Sequence, residues 1–258
     1  MIHRTIIALL FLFLLAPVLL VFPMSFSADR TMAWPPASYG LRWYIALAHQ
    51  PDLAAAARNS LILGIIVTLL SMAIAGPAAL AFARRRVPGR AALLGLLTAP
   101  LLLPTIVLAL AVLIVFVSLG LIGSWPGLVL AHLLVALPYA LRVLTTAFTT
   151  LPDFVEDAAA SLGASPMAVL RHVTLPLMLP GLIATAAIVF LISFDEVVLS
   201  LFIVGPNLTT LPVALFRYVE TRTDPQVAAV SALLVLFTLA IVIFLERVFG
   251  VARTIGRT

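Results

Sequence analysis

A chain of 258 residues that is 64% hydrophobic and 10% charged, with a mean hydropathy of +1.24, has too little polar surface to be a water-soluble domain. Its formal charge of +5 and pI near 10.7 rest on fifteen basic residues that are all Arg; they suit contact with an anionic membrane surface, and nothing calls for nucleic acid. With no Lys there is no G-x-x-x-x-G-K-[ST] nucleotide loop, and with no Cys there is no disulfide, thiol nucleophile or thiolate metal site.

Six apolar runs can each cross about 30 Å of hydrocarbon, which takes roughly 20 helical residues. They are residues 5–26, 60–83, 91–117, 127–148, 177–204 and 226–249, so residues 1–258 read as one all-α polytopic membrane domain with six transmembrane helices. The first run, after His3-Arg4 and ahead of Ser25-Phe26-Ser27-Ala28, has the outline of a signal peptide. It is longer than the usual core of about 7–15 residues, which favours a retained span. Residues 27–57 follow as a surface loop whose Trp34, Tyr39, Trp43 and Tyr44 suit the membrane interface.

Pro77, Pro100, Pro104 and Pro138 lie inside the second, third and fourth runs, where a helix bundle tolerates them because neighbours recover the freed backbone groups. His132 in the fourth run reads as a hydrogen-bonded core residue; His3, His49 and His172 lie too far from it to make a metal-ligand spacing.

Residues 151–176 are a polar interruption between the fourth and fifth runs. Asp153 and Glu156 have the spacing of a capping box after Pro152, Gly163 suits the left-handed residue past a helix end, Ser165-Pro166 restarts a helix, and Pro176 limits it. The fifth run holds Asp195-Glu196. An ionised side chain in hydrocarbon costs at least ~2.5 kcal/mol, so the pair must face a cavity, a counter-charge such as Arg142, or a shared proton. In an unbroken helix Thr185, Val189, Ser193, Glu196 and Ser200 share one face and Asp195 is turned about 100° away. Glu196 is therefore expected to matter more than Asp195 for a cationic solute.

Arg4, Arg84, Arg85, Arg86, Arg90, Arg142, Arg171, Arg247, Arg253 and Arg257 fall on one side of the six-span pattern, against Arg30, Arg42, Arg58, Arg217 and Arg222 on the other. Positive-inside logic places both termini and the 151–176 loop in the cytoplasm.

The run Asp157-Ala158-Ala159, then Gly163, then Val173-Thr174-Leu175-Pro176, resembles the EAA loop of bacterial ABC-importer permeases, with Asp157 where Glu is usual and Glu156 one place upstream. Arg58-Asn59-Ser60, Gly76-Pro77-Ala78-Ala79, Leu137-Pro138-Tyr139 and Ser193-Phe194-Asp195-Glu196-Val197-Val198 extend the similarity to the polyamine-type permeases over residues 61–245. The resemblance implies a type I ABC-importer permease fold in a bacterial inner membrane and no enzymatic activity in this chain. It implies a second permease subunit, a different chain, together with two ATPase subunits holding ATP and Mg and an extracytoplasmic solute-binding protein. It also implies a coupling helix built from Glu156, Asp157, Ala158, Ala159, Gly163, Ala164 and Ser165; a solute route past Ser193, Phe194, Asp195, Glu196 and Ser200 is the reading of the acid pair itself, with an interhelical ion pair as its alternative.

Two other classes use the same acids. An ion- or proton-coupled carrier would protonate Asp195 or Glu196, and an intramembrane enzyme would use them as acid and base. Neither needs the capped loop, and no G-x-S-x-G elbow accompanies the acids.

Overall fold

The computed structural model describes residues 2–85 and 87–249; Arg86, Arg253 and Arg257, counted above for orientation, lie outside them. Regular structure among the described residues is helical: α1 (Ile2–Ser25), α2 (Arg42–Ala48), α3 (Pro51–Arg84), α4 (Arg90–Thr98), α5 (Thr105–Ser118), α6 (Trp125–Thr150), α7 (Asp153–Ser161), α8 (Pro166–Val169), α9 (Leu175–Phe194), α10 (Val198–Ile203), α11 (Leu211–Thr221) and α12 (Gln226–Phe249). Among the described residues, five helical stretches are long and apolar enough to cross a membrane: His3–Ser25, Pro51–Arg84, Trp125–Thr150, Pro166–Phe194 and Gln226–Phe244. A sixth exists if the bent pair Arg90–Leu102 and Thr105–Ser118 is one span.

Three expectations change. The 91–117 run is not one straight helix: a 3-10 turn, Ala99–Leu102, carries Pro100, and the chain bends by 97° before α5 starts after Pro104. Two prolines four residues apart remove successive amide donors, and here no helix is recovered across them. The helix opened at Pro166 does not stop at Pro176; it passes through a π turn, Leu170–Thr174, into α9. The wider turn lies directly ahead of the proline and absorbs its missing N–H and its ring. The 177–204 run breaks after Phe194 and resumes as α10.

The chain forms two compact units, Met1–Ala57 with Val213–Ala240 and Arg58–Pro212 with Ile241–Thr258. In the first, the 27–57 stretch is more ordered than a surface loop: it contains α2 and the start of α3, and Asp29 folds the residues between α1 and α2. Ser38 Oγ donates to Asp29 Oδ1 at 2.7 Å, Ala37 N–H donates to Oδ2 at 2.8 Å, and Trp43 Nε1 donates to the Asp29 carbonyl at 3.1 Å. The Ser38 and Ala37 bonds hold the Asp29 carboxyl below its usual range.

In the second unit α6 is the core helix. Leu128, Ala131, His132, Ala136, Ala140, Leu144 and Phe148 lie along one side of it, three or four residues apart save the adjacent Ala131 and His132, and are all buried. Its alanines let α9 approach closely, as small residues do where helices meet in a membrane. α3 packs in the same way, since a Cβ on Gly64 would stand 2.8 Å from the Phe190 ring. Ser124 opens α6 by accepting from the Gly127 N–H at 3.1 Å, with Pro126 in the first turn.

Candidate functional site

The loop between α6 and α9 is organised by Arg84, the last residue of α3. Its Nη1 and Nη2 both donate to the Leu151 carbonyl, at 3.1 Å each, where α6 ends. Nη1 also lies 2.7 Å from Asp153 Oδ1, and Nε lies 2.9 Å from Glu156 Oε2. The other Glu156 oxygen, Oε1, accepts from Thr174 Oγ1 at 2.7 Å, and Thr174 closes the π turn. The capping box expected from Asp153 and Glu156 does not form: α7 starts after Pro152 without a side-chain cap, because a guanidinium from another helix takes both carboxylates. The Arg84–Asp153 pair, with Asp153 80% exposed, is worth only about 0–1 kcal/mol. The Glu156 pair is shielded on both sides and is a charge contact: Nε approaches Oε2 to 2.9 Å without the geometry of a hydrogen bond.

The end of α7 follows the sequence reading. Gly163 has φ +88°, its N–H donates to the Ala160 carbonyl at 2.9 Å, and the Ala164 N–H donates to the Ala159 carbonyl at 3.2 Å. These two bonds are the Schellman pattern, which needs a left-handed residue where Gly163 stands. Ser165 caps α8 by accepting from the Ala168 N–H at 3.3 Å. Asp157 and Ala158 are exposed, Ala159 and Ala164 half-buried. Around them Phe154, Leu162 and Met167 are 69%, 90% and 63% exposed. The loop therefore presents an apolar surface with the Asp157 carboxylate beside it, while Glu156 is turned inward.

The acid pair of the fifth run sits in the break between α9 and α10. Asp195 caps the end of α9 and its side chain is exposed. Glu196 Oε1 accepts from the Leu199 N–H at 3.0 Å, at the start of α10. The shared face of Thr185, Val189, Ser193, Glu196 and Ser200 requires a continuous helix: α9 keeps Thr185, Val189 and Ser193 buried along it, and the break takes Glu196 and Ser200 out of that series. Ser193 and Ser200 instead face His132, whose Nδ1 is 2.9 Å from Ser193 Oγ and whose Nε2 is 2.8 Å from Ser200 Oγ. All three are buried, so the imidazole of α6 pins both sides of the break. Phe194 stacks on Phe190 with centroids 5.6 Å apart. Among the described residues neither acid is ion-paired, to Arg142 or to any other base, and no cluster of His, Asp and Glu is placed to hold a metal ion.

Sequence reasoning missed two relationships. Arg84 was one positive charge among many, with no local signal tying it to a loop nearly seventy residues away. His132 was expected to be hydrogen-bonded in the core, but its two serine partners could be found only by placing three helices together.

A set of apolar spans interrupted by one exposed two-helix loop is the plan of a type I ABC-importer permease. The chain matches the crystal structure of a bacterial ABC transporter involved in the import of the acidic polysaccharide alginate with a TM-score of 0.68 over 98% of this chain and 94% of that one, at 16% identity. Residues 73–251 match the binding-protein-dependent transport system inner membrane component family, and the chain belongs to it. It is 33% identical, over 92% of its length and 91% of the relative's, to the spermidine/putrescine transport system permease protein PotC of Haemophilus influenzae. It is 31% identical, over 90% and 85%, to the putrescine transport system permease protein PotI of Escherichia coli. The chain is thus a membrane-integral permease subunit of an ABC importer, a transport subunit and not an enzyme, acting in a complex with other subunits. That membership sets aside the secondary-carrier and intramembrane-enzyme readings.

Proposed function

We propose that this permease imports a small cationic, polyamine-like solute, with Asp195 as the contact for an ammonium group. The observation that carries this reading is the helix break, where the last carbonyls of α9 lack helical donors and Asp195 adds an exposed carboxylate at the same end. A cation is the ligand such an end favours. The names borne by PotC and PotI support the same substrate class. Glu196, held by the Leu199 N–H, shapes the turn and adds negative field from one step away.

The chain pairs with a second, different permease subunit, two ATPase subunits that hold ATP and Mg, and an extracytoplasmic solute-binding protein. Both termini and the α7–α8 loop face the cytoplasm, consistent with the positive-inside count. Asp157, with the exposed Phe154 and Leu162, meets the ATPase. ATP then shifts the population of outward- and inward-open states. Uptake of radiolabelled spermidine and putrescine, in cells whose own polyamine importers are deleted and which express the whole complex, tests the substrate class. Uptake that requires ATP and an intact Asp195 supports it; an assembled complex that moves neither amine overturns it.

A further inference from the structure

We infer that Arg84 and Glu156 form an internal strut that carries movement of the coupling loop into two spans at once, α3 through Arg84 and α9 through Thr174. The inference rests on the reading of this loop as the ATPase dock.

α7 has nine residues, too few to be stable as an isolated helix, so its direction is set by what holds its ends. The C-terminal hold is local, the Schellman turn at Gly163 and the Ser165 cap. The N-terminal hold is long-range: Arg84 contacts Asp153 at 2.7 Å, an exposed pair, and Glu156 at 2.9 Å, and only Glu156 reaches on, through its other oxygen, to Thr174 at 2.7 Å. Arg84 is itself fixed by two bonds to the Leu151 carbonyl, so a planar, many-donor guanidinium ties the ends of α3 and α6 to α7. Lys, a compact point charge, could not span the same acceptors. On the far side the strut ends at a π turn, the place in this helix where the backbone departs from α geometry. A displacement of α7 by its partner therefore cannot occur without pulling on α3 and on the α9 entrance together. Neither Arg84 nor Glu156 is among the exposed groups of the dock; both are positioning residues.

The test uses the full complex, copurified from its native membrane and reconstituted in proteoliposomes. ATP hydrolysis, spermidine uptake, and cross-linking from Ala160→Cys, a thiol on the exposed side of α7 in an otherwise Cys-free chain, are measured together. Arg84→Gln and Glu156→Gln should keep the cross-link to the ATPase and keep hydrolysis, while spermidine moved per ATP falls about tenfold, within the 5–150-fold range of ordinary coupling between sites. The reversed pair Arg84→Glu with Glu156→Arg should recover part of that ratio. An unchanged ratio in both single variants overturns the strut, and so does a parallel fall in hydrolysis and uptake, which marks a merely structural role. Where these variants fail to assemble, Thr174→Val, which leaves the ion pair intact, is judged by the same ratio. Loss of the cross-link from Ala160→Cys in the otherwise unaltered chain overturns the dock instead. Absence of spermidine uptake by the unaltered complex counts against the substrate class alone; the strut is then decided by ATP-dependent maleimide labelling of Asp195→Cys, and a response unaffected by Arg84→Gln refutes it.

Discussion

Gly205 meets Gly123 backbone against backbone: a Cβ on Gly205 would stand 2.8 Å from the Gly123 Cα, and the Gly123 N–H donates to the Ile203 carbonyl at 2.8 Å. The contact pins the turn after α10 to the turn before α6, and so fixes the outer end of the segment that carries the acid pair. Gly123 is doubly constrained, since its φ of +69° is left-handed as well. Gly205→Ala should lower the thermal midpoint of the purified complex, at an overpacking cost of about 1–3 kcal/mol. A midpoint equal to that of the unaltered complex would show that the two turns separate without penalty.

The two neighbouring acids should respond unequally to neutralisation. Asp195→Asn removes an exposed charge and should raise the KM for a polyamine about tenfold or more, as expected when a charge-assisted bond of roughly 1.5–3 kcal/mol is lost. Glu196→Gln keeps a carbonyl oxygen for the Leu199 N–H and should change KM less. Uptake kinetics at matched membrane levels decide the order; the reverse order would return the solute contact to Glu196.

At Gly163 the obstacle to substitution is the backbone alone, because a Cβ there meets nothing within 4 Å. Forcing Val into φ +88° costs roughly 1–2 kcal/mol or more, whereas Asn visits that region more readily. Gly163→Val should abolish most uptake while membrane insertion persists, and Gly163→Asn should retain much of it. Equal uptake in the two variants would mean that the turn conformation does not matter to coupling.

His132 should show energetic coupling to its serines. His132→Leu strands two buried hydroxyls, each costing about 1–3 kcal/mol. In a double-mutant cycle with Ser200→Ala, thermal unfolding should reveal an interaction of about 0.5–3 kcal/mol. Additive losses would place the two groups in separate environments.

Most of the architecture is legible in composition and periodicity, since an apolar run of membrane length can do little but form a helix. The last run, 226–249, coincides with α12, and Gly163 and Ser165-Pro166 end and restart helices where their backbone chemistry requires. What escapes is settled by contacts between distant segments. Asp153 and Glu156 have a local use for their carboxylates, but Arg84 outcompetes the helix N–H groups for them. Prolines are only partly legible: Pro77 and Pro138 sit inside continuous helices as expected, while Pro100 and Pro104 accompany a bend and Pro176 fails to end a helix. The break at Asp195 leaves no proline or glycine signal at all, and a helical projection across it groups Glu196 with serines that belong to His132.

The bend between α4 and α5 bears on what this chain needs from its neighbours in a bilayer. A stretch apolar enough to enter the bilayer turns through 97° there, with Leu102 83% exposed, and both helix ends bring backbone groups that lipid cannot satisfy. In an assembled importer neighbouring chains can cover such a corner; an orphan copy would carry it uncovered.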